Sequence, residues 1–325
     1  MRKAGWSNAQ IIAGLLALGL MTDASPQAYP TKPVHLVVGY TPGGAVDFTA
    51  RLVGQKLSEL LGQPIIVENR PGSATAIATE RVLTSPPDGY TLLLIPISTA
   101  VLSAIRKDLP YNLERDLAPV SLVSTGPFLL LVHPSVPARN VKEFIALARS
   151  QPGKLNYGSP GVGTANHLAG ELFAMMAKVK MVHVPYKGAS DAVVATASGQ
   201  LAASFPSVAG TLPLLATGKL KALAVTSAKR VPSLPLVPTL DEAALPGYDY
   251  FAWYGVGAPA RAPKDIVARL NGAIGKAVQT ADMKEALGKQ GFEAQAETPE
   301  QFGALIHREI ERTSKLIAAT GIKIE

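Results

Sequence analysis

Two stretches of the 325-residue chain could gather hydrogen-bond donors around a small anion. The first is Thr41-Pro-Gly-Gly-Ala-Val-Asp47. The second is Ser159-Pro-Gly-Val-Gly-Thr-Ala-Asn-His167. Each lies between a short strand-like run and an amphipathic run with helical spacing. Glycine lets the backbone approach a ligand and turn several N–H groups the same way. A helix start adds N–H donors without intrahelical partners and the positive end of the helix dipole. A carboxylate, phosphate or sulfate suits such a place. For either loop alone, glycines that merely serve a tight turn are an equally good account; two such loops in the two halves of the chain favour the anion site. Asp47 falls in the first turn of its helix, where capping alone would also explain it. Thr164 and His167 could each donate to a ligand, and a purely structural His167 fits at least as well.

Other chemistry finds little support. The chain has no cysteine, which excludes disulfides, thiolate nucleophiles, cysteine-held zinc, iron–sulfur clusters and an acylated-cysteine anchor. Neither loop is a Walker A motif or a G-x-G-x-x-G fingerprint. Ser159, His167 and Asp191 are the residue types of a hydrolytic triad, but no G-x-S-x-G elbow accompanies them. His35, His133, His167, His183 and His307 are scattered without metal-ligand spacing, and His35 and His183 sit in strands as core or hinge residues. No metal, cofactor or enzymatic activity is expected. The net charge of +7 permits an anionic partner. Lys154, Lys178, Lys180 and Lys187 read as solvated surface without interleaved aromatics, so nucleic acid is not expected.

The elements that must position the two loops alternate. Strands are expected at Val34–Gly39, Ile65–Glu68, Tyr90–Ile95, Val120–Val123 and Phe128–Val132, then at Leu155–Tyr157, Val182–Val184, Ala202–Phe205, Leu220–Val225 and Phe251–Val256. Helices fall between them, and the alternation predicts a parallel sheet with helices on both faces. Pro232–Pro246, with four prolines, reads as an extended connection. At the N-terminus, Arg2 and Lys3 precede an apolar run, Ile11–Met21, and then small residues. The run is shorter than the roughly 20 residues that span a bilayer. It predicts a signal peptide, residues 1–24, cleaved between 24 and 28, and an exported, soluble protein.

The ordered set of short motifs resembles one family. It includes Tyr29-Pro-Thr-Lys-Pro33, Thr41-Pro-Gly-Gly44 with Asp47, Val67-Glu-Asn-Arg-Pro-Gly72, Pro87-Asp-Gly-Tyr90 and Leu109-Pro-Tyr111. It continues through Pro152-Gly-Lys-Leu-Asn-Tyr157, His167-Leu-Ala-Gly-Glu-Leu-Phe173, Val182-His-Val-Pro-Tyr-Lys-Gly188 and Gly218-Lys-Leu-Lys-Ala-Leu-Ala-Val-Thr226. The chain resembles the Bug-type substrate-binding receptors of tripartite tricarboxylate transporters along nearly its whole mature length. The resemblance implies an α/β, two-lobed periplasmic binding-protein fold, type II-like, with a ligand cleft between lobes. Lobe 1 would comprise residues 29–127 plus 253–325, and lobe 2 residues 128–252. It implies a small organic acid, mono- or dicarboxylate, held largely by backbone N–H groups and waters. Carried over, the ligand-binding residues are Thr41, Pro42, Gly43, Gly44 and Asp47, then Ser159, Gly161, Val162, Gly163, Thr164 and His167, with Phe205 and Ser207 from a further cleft segment. It implies a monomer in the periplasm that delivers its ligand to membrane permease subunits; the alternative is a sensor that presents ligand to a signalling receptor.

Two stretches depart from the resembled pattern. Ser73-Ala-Thr-Ala76 stands where members often have a glycine-rich run with asparagine, and Thr99-Ala-Val-Leu-Ser103 where they often have His-Ala-x-Asn-Pro. If both lie at the cleft rim, they favour a partly apolar acid, aromatic or branched, over citrate. Intact-mass measurement on protein from the periplasm should find a mature N-terminus between Ser25 and Tyr29; a retained Met1 in membrane fractions would overturn the export reading.

Overall fold

The computed structural model describes residues 29–208 and 211–321; the expected signal peptide lies outside them. Three parallel strands, β1 (Val34–Val38), β2 (Ile65–Asn69) and β3 (Thr91–Pro96), begin the first sheet. Helices α1 (Ala45–Leu61), α2 (Ala76–Leu83), α3 (Ile97–Ile105) and α4 (Leu113–Asp116) lead to β4 (Leu117–Pro127). The second sheet then forms. It holds β5 (Leu129–Val132), β6 (Asn156–Ser159), β7 (Val182–Pro185), β8 (Ala203–Ser204) and β9 (Lys221–Val225). Its helices are α5 (Val141–Ser150), α6 (Ala165–Ala177), α7 (Ala189–Ala197), α8 (Leu212–Ala216) and α9 (Leu240–Ala243). The chain returns to the first sheet with β10 (Phe251–Pro259), α10 (Lys264–Ala277), α11 (Ala281–Lys289), β11 (Glu293–Ala294) and α12 (Pro299–Thr320).

Both sheets are mixed, which corrects the expectation of a parallel sheet. The strand orders are β11-β4-β10-β3-β1-β2 and β7-β6-β8-β5-β9. β10 runs antiparallel to β3 and β4, and β5 antiparallel to β8 and β9. The reason is topological. β4 and β9 run out of their sheets toward the other sheet, so β5 and β10, which start at that junction, must run the opposite way. The parallel strands of both sheets therefore end at the junction, and the loops after β1 and β6 both open there. The return also comes early: Phe251 and Ala252 already pair with Pro127 and Gly126 of β4.

Local rules explain the elements that the periodicity reading missed. Ile97, Ala100, Val101 and Ala104 of α3 are buried at helical spacing. Within the proline-rich stretch, Thr239 and Glu242 form a capping box that starts α9.

The chain crosses between the sheets twice, from β4 to β5 and from β9 to β10, and one buried threonine laces the two crossings together. Thr226 Oγ1 accepts the Phe128 N–H at 2.8 Å, and its own N–H donates to Phe128 O at 3.0 Å. Thr226 O accepts the Tyr250 N–H at 2.8 Å. The Phe128 and Tyr250 rings stack 5.9 Å apart. The Arg312 guanidinium also lies over the Tyr250 ring, 4.4 Å from its centroid, and it donates to Asp249 O and pairs with buried Glu309.

Close packing fixes some glycines. A Cβ on Gly255 of β10 would sit 2.1 Å from the buried Phe302 ring, itself edge-on to Trp253. Gly272 of α10 has no neighbour within 4 Å of such a carbon. Gly255→Ala should therefore destabilise by about 1–3 kcal/mol through overpacking, and Gly272→Ala should stabilise by about 0.5–1 kcal/mol through helix propensity. Denaturant unfolding of the two variants checks both signs.

Candidate functional site

The first loop is built around Asp47. Gly44 caps α1 in an extended conformation, φ −86° and ψ 174°, and offers no side chain to the helix N–H groups. Gly43 takes φ +92°, a left-handed value that suits glycine. Its N–H donates to Asp47 Oδ2 at 2.9 Å. Arg51 Nε donates to the same oxygen at 3.0 Å, and the Asn69 amide donates to Asp47 Oδ1 at 2.8 Å and to Tyr40 O at 3.0 Å. Asp47 is 3% exposed. Burial pushes its carboxyl up, but the bonds from Arg51, Gly43 and Asn69 outweigh it and hold the group below its ordinary range. Asp47 thus organises the loop from beneath. The N–H groups of Gly44, Ala45 and Val46 have no acceptor among the described residues, and Thr41–Ala45 are exposed.

The second loop repeats the device with a neutral acceptor. Thr164 caps α6, and Gly163, at φ +78°, donates its N–H to His167 Nδ1 at 3.1 Å. In each loop the glycine just before the cap donates to the third helical residue. Thr164 Oγ1 accepts the His167 N–H and donates to Gly161 O at 2.8 Å. The Ala165 and Asn166 N–H groups have no acceptor among the described residues. Because Nδ1 accepts, the proton of neutral His167 resides on Nε2, 3.7 Å from Glu171. Burial, aided by the His183 ring 4.0 Å away, pushes the His167 pKa down to about 3. Burial alone pushes His183 down to about 4.

Ser159 also lies beneath the loop. It is fully buried, its Oγ sits 2.7 Å from His183 Nε2, and it accepts the Gly161 N–H at 3.1 Å. The residue types of a triad do not assemble: the partner of Ser159 is His183 rather than His167, and Asp191 is exposed at the start of α7. Phe205 is fully buried against Tyr157 and Phe173, so its side chain belongs to the core, while its carbonyl accepts the Asn166 amide at 2.8 Å. Ser207 bridges to Phe128 at the first crossing. Val162 stands out at the loop tip, 46% exposed. Among the described residues no group of three or more His, Asp or Glu side chains could hold a metal.

Asn69 and His183 were not foreseen as site residues. Each is the strand neighbour of a loop: Asn69 ends β2 beside β1, and His183 pairs with Tyr157 of β6. The two stretches that depart from the resembled pattern meet each other. Thr75 and Thr99 are both buried, with their hydroxyls 3.2 Å apart. Thr75 adopts φ +87°, strained for a β-branched residue.

A family model described as "Tripartite tricarboxylate transporter family receptor" matches residues 49–322. Protein BugT of Bordetella pertussis is 33% identical over 94% of this chain and 95% of its own. An R. palustris protein solved with adipate superposes with a TM-score of 0.77 at 34% identity, over 90% of this chain and 99% of its own. MatC from Rhodopseudomonas palustris, with bound malate, gives 0.74 at 32% identity, over 89% and 100%.

The buried histidines make stability depend on pH in one direction. Their folded pKa values lie below the ordinary 6.5, so the unfolded chain takes up protons first as pH falls. The stability held by the neutral pair is complete above about pH 6.5 and declines toward pH 4 and below. Asp47 acts in the same sense at lower pH, since its folded pKa is depressed. Urea midpoints should fall between about pH 7 and pH 4.5 in the wild type, and less steeply in His167→Asn, which keeps an acceptor at the Nδ1 position without titrating. Equal slopes would remove His167 as a cause.

Proposed function

Because the chain belongs to the tripartite tricarboxylate transporter receptor family, we propose that it captures an organic carboxylate between two lobes in the periplasm and delivers it to membrane permease subunits. It is a solute-binding protein and not an enzyme. Lobe 1 is taken as residues 29–127 with the chain from β10 onward, and lobe 2 as the segment between. The observation that carries the reading is the matched pair of loops. Each turns a glycine N–H back onto the third helical residue and leaves the first N–H groups of a helix without an internal acceptor.

The mechanism follows from those donors. Carboxylate oxygens accept N–H groups from Gly44 to Val46 on one lobe and from Ala165 and Asn166 on the other. Each neutral bond contributes about 0.5–1.5 kcal/mol net, and the two helix starts add favourable potential. No cation needs to be stripped from the ligand at release. Relatives solved with adipate and malate make dicarboxylates the first candidates. The exposed apolar Val162 beside the donors favours a partly apolar acid. A ligand held by both loops stabilises the closed arrangement to the extent that it binds that arrangement better. It also raises the melting temperature by mass action.

Calorimetry with an adipate, malate and aromatic-acid panel tests the reading. Gly44→Val is the informative variant: φ −86° is open to any residue, and no atom lies within 4 Å of the added carbon. Folding should be unchanged and affinity for the bound acid weakened roughly tenfold or more. Unaltered affinity in this variant would overturn the two-loop site.

A further inference from the structure

A second concavity lies across the junction, away from the glycine loops. Its volume is about 760 Å³, within the size range of small-molecule sites. One wall comes from the end of β4, from β11 and from α12; the other is the Ser227–Ser233 segment after β9, continuing to Asp249 and Phe251. None of its lining residues belongs to either glycine loop. In the first sheet β4 stands three strand positions from β1, and in the second β9 stands three from β6. At the usual strand spacing each offset is about 14 Å.

Leu122, Pro127, Phe251, Phe292 and Leu305 give the cavity apolar surface. Phe292 is held in place from below: a Cβ on Gly126 would sit 2.4 Å from its ring, and Tyr254 packs 5.1 Å from it. Charged groups complete the lining. Arg230 is committed to Glu242, and the Asp249 carboxylate accepts the Ala228 N–H at 2.9 Å. That leaves Lys229, Lys284 and Arg308, none with a carboxylate partner among the described residues, alongside the carboxylates of Asp249, Glu293 and Glu297. Lys229 and Arg308 thus stand as cations without a carboxylate partner among the described residues, beside an aromatic and aliphatic surface.

We propose that this cavity is a second ligand site, for an amphipathic monoanion with an aromatic body and a single acidic group. The aromatic body lies against Phe251 and Phe292, and the acidic group meets Lys229 and Arg308. The site is chemically unlike the loops, which offer backbone N–H groups and no uncommitted cation.

The probe is anilinonaphthalene sulfonate, an aromatic monoanion, titrated by fluorescence into the mature protein. One saturable site is expected. The double variant Lys229→Glu with Arg308→Glu should weaken it roughly tenfold or more through loss of charge-assisted contacts. Ser233→Trp, at an exposed lining position, should fill the cavity and abolish binding, while Gly44→Val should leave it unchanged. The assignment is overturned if the wild type shows no saturable binding. It is equally overturned if both cavity variants bind like the wild type, or if Gly44→Val is the variant that abolishes binding. Failure of adipate or malate to bind would bear on the loop site alone.

Discussion

A helix start that receives an anion has to keep its first N–H donors aligned and unbonded, although nothing inside the protein then holds them. Here one bond resolves the conflict in both halves of the chain. The N–H of the glycine before the cap turns inward to a side chain on the third helical residue, which pins the loop from beneath and leaves the outward donors alone. The acceptors differ in charge, Asp47 in one loop and His167 in the other. Asp47 carries a charge that would repel an anion, and it is answered by Arg51 and by the Asn69 amide. His167 is kept neutral by burial and by its neighbour His183. Two chemically distinct side chains thus arrive at the same outcome, a loop whose potential is set by backbone dipoles.

Much of this was legible in the residues. Glycines between strand and helix marked both loops, and Asp47 stood where a first-turn carboxylate belongs. Asp47 accepts the Gly43 N–H and anchors its loop, and His167 likewise anchors the second loop. Partners across a sheet were not legible, because adjacency of β1 with β2 and of β6 with β7 places Asn69 and His183 beside the loops without any local signal. Strand direction escaped for a similar reason: an apolar run reads the same in either sense, and only the crossings decide it. Phe205 was carried over from the resemblance as a cleft residue, yet a large aromatic at a strand end is as well suited to the core it occupies. Thr75 and Thr99, far apart in the chain, gave no hint that they would meet.

The junction concentrates the groups that are hardest to bury. Tyr250 Oη, Trp253 Nε1 and Arg312 Nε are enclosed without a hydrogen-bond partner in the described structure, and Glu309 is buried with its pKa raised by desolvation. Such groups weaken a static core. They gather where the two crossings, α12 and the second lobe converge, with Tyr248 Oη donating to Ala169 O of α6. Polar contacts of this kind can be exchanged for others when neighbouring bodies turn, whereas interdigitated apolar packing cannot slide without opening voids.

Thr226 gives the junction its mechanical character. Since this one residue bonds the first crossing through Phe128 and the second through Tyr250, the two chain segments are stitched side by side into a short ribbon. A ribbon resists shear in its own plane and yields to twisting and to bending across its face. In the closure proposed above, such a ribbon would favour rotation about the stitched pair over free displacement of the lobes, and would bring the two glycine loops together along one path.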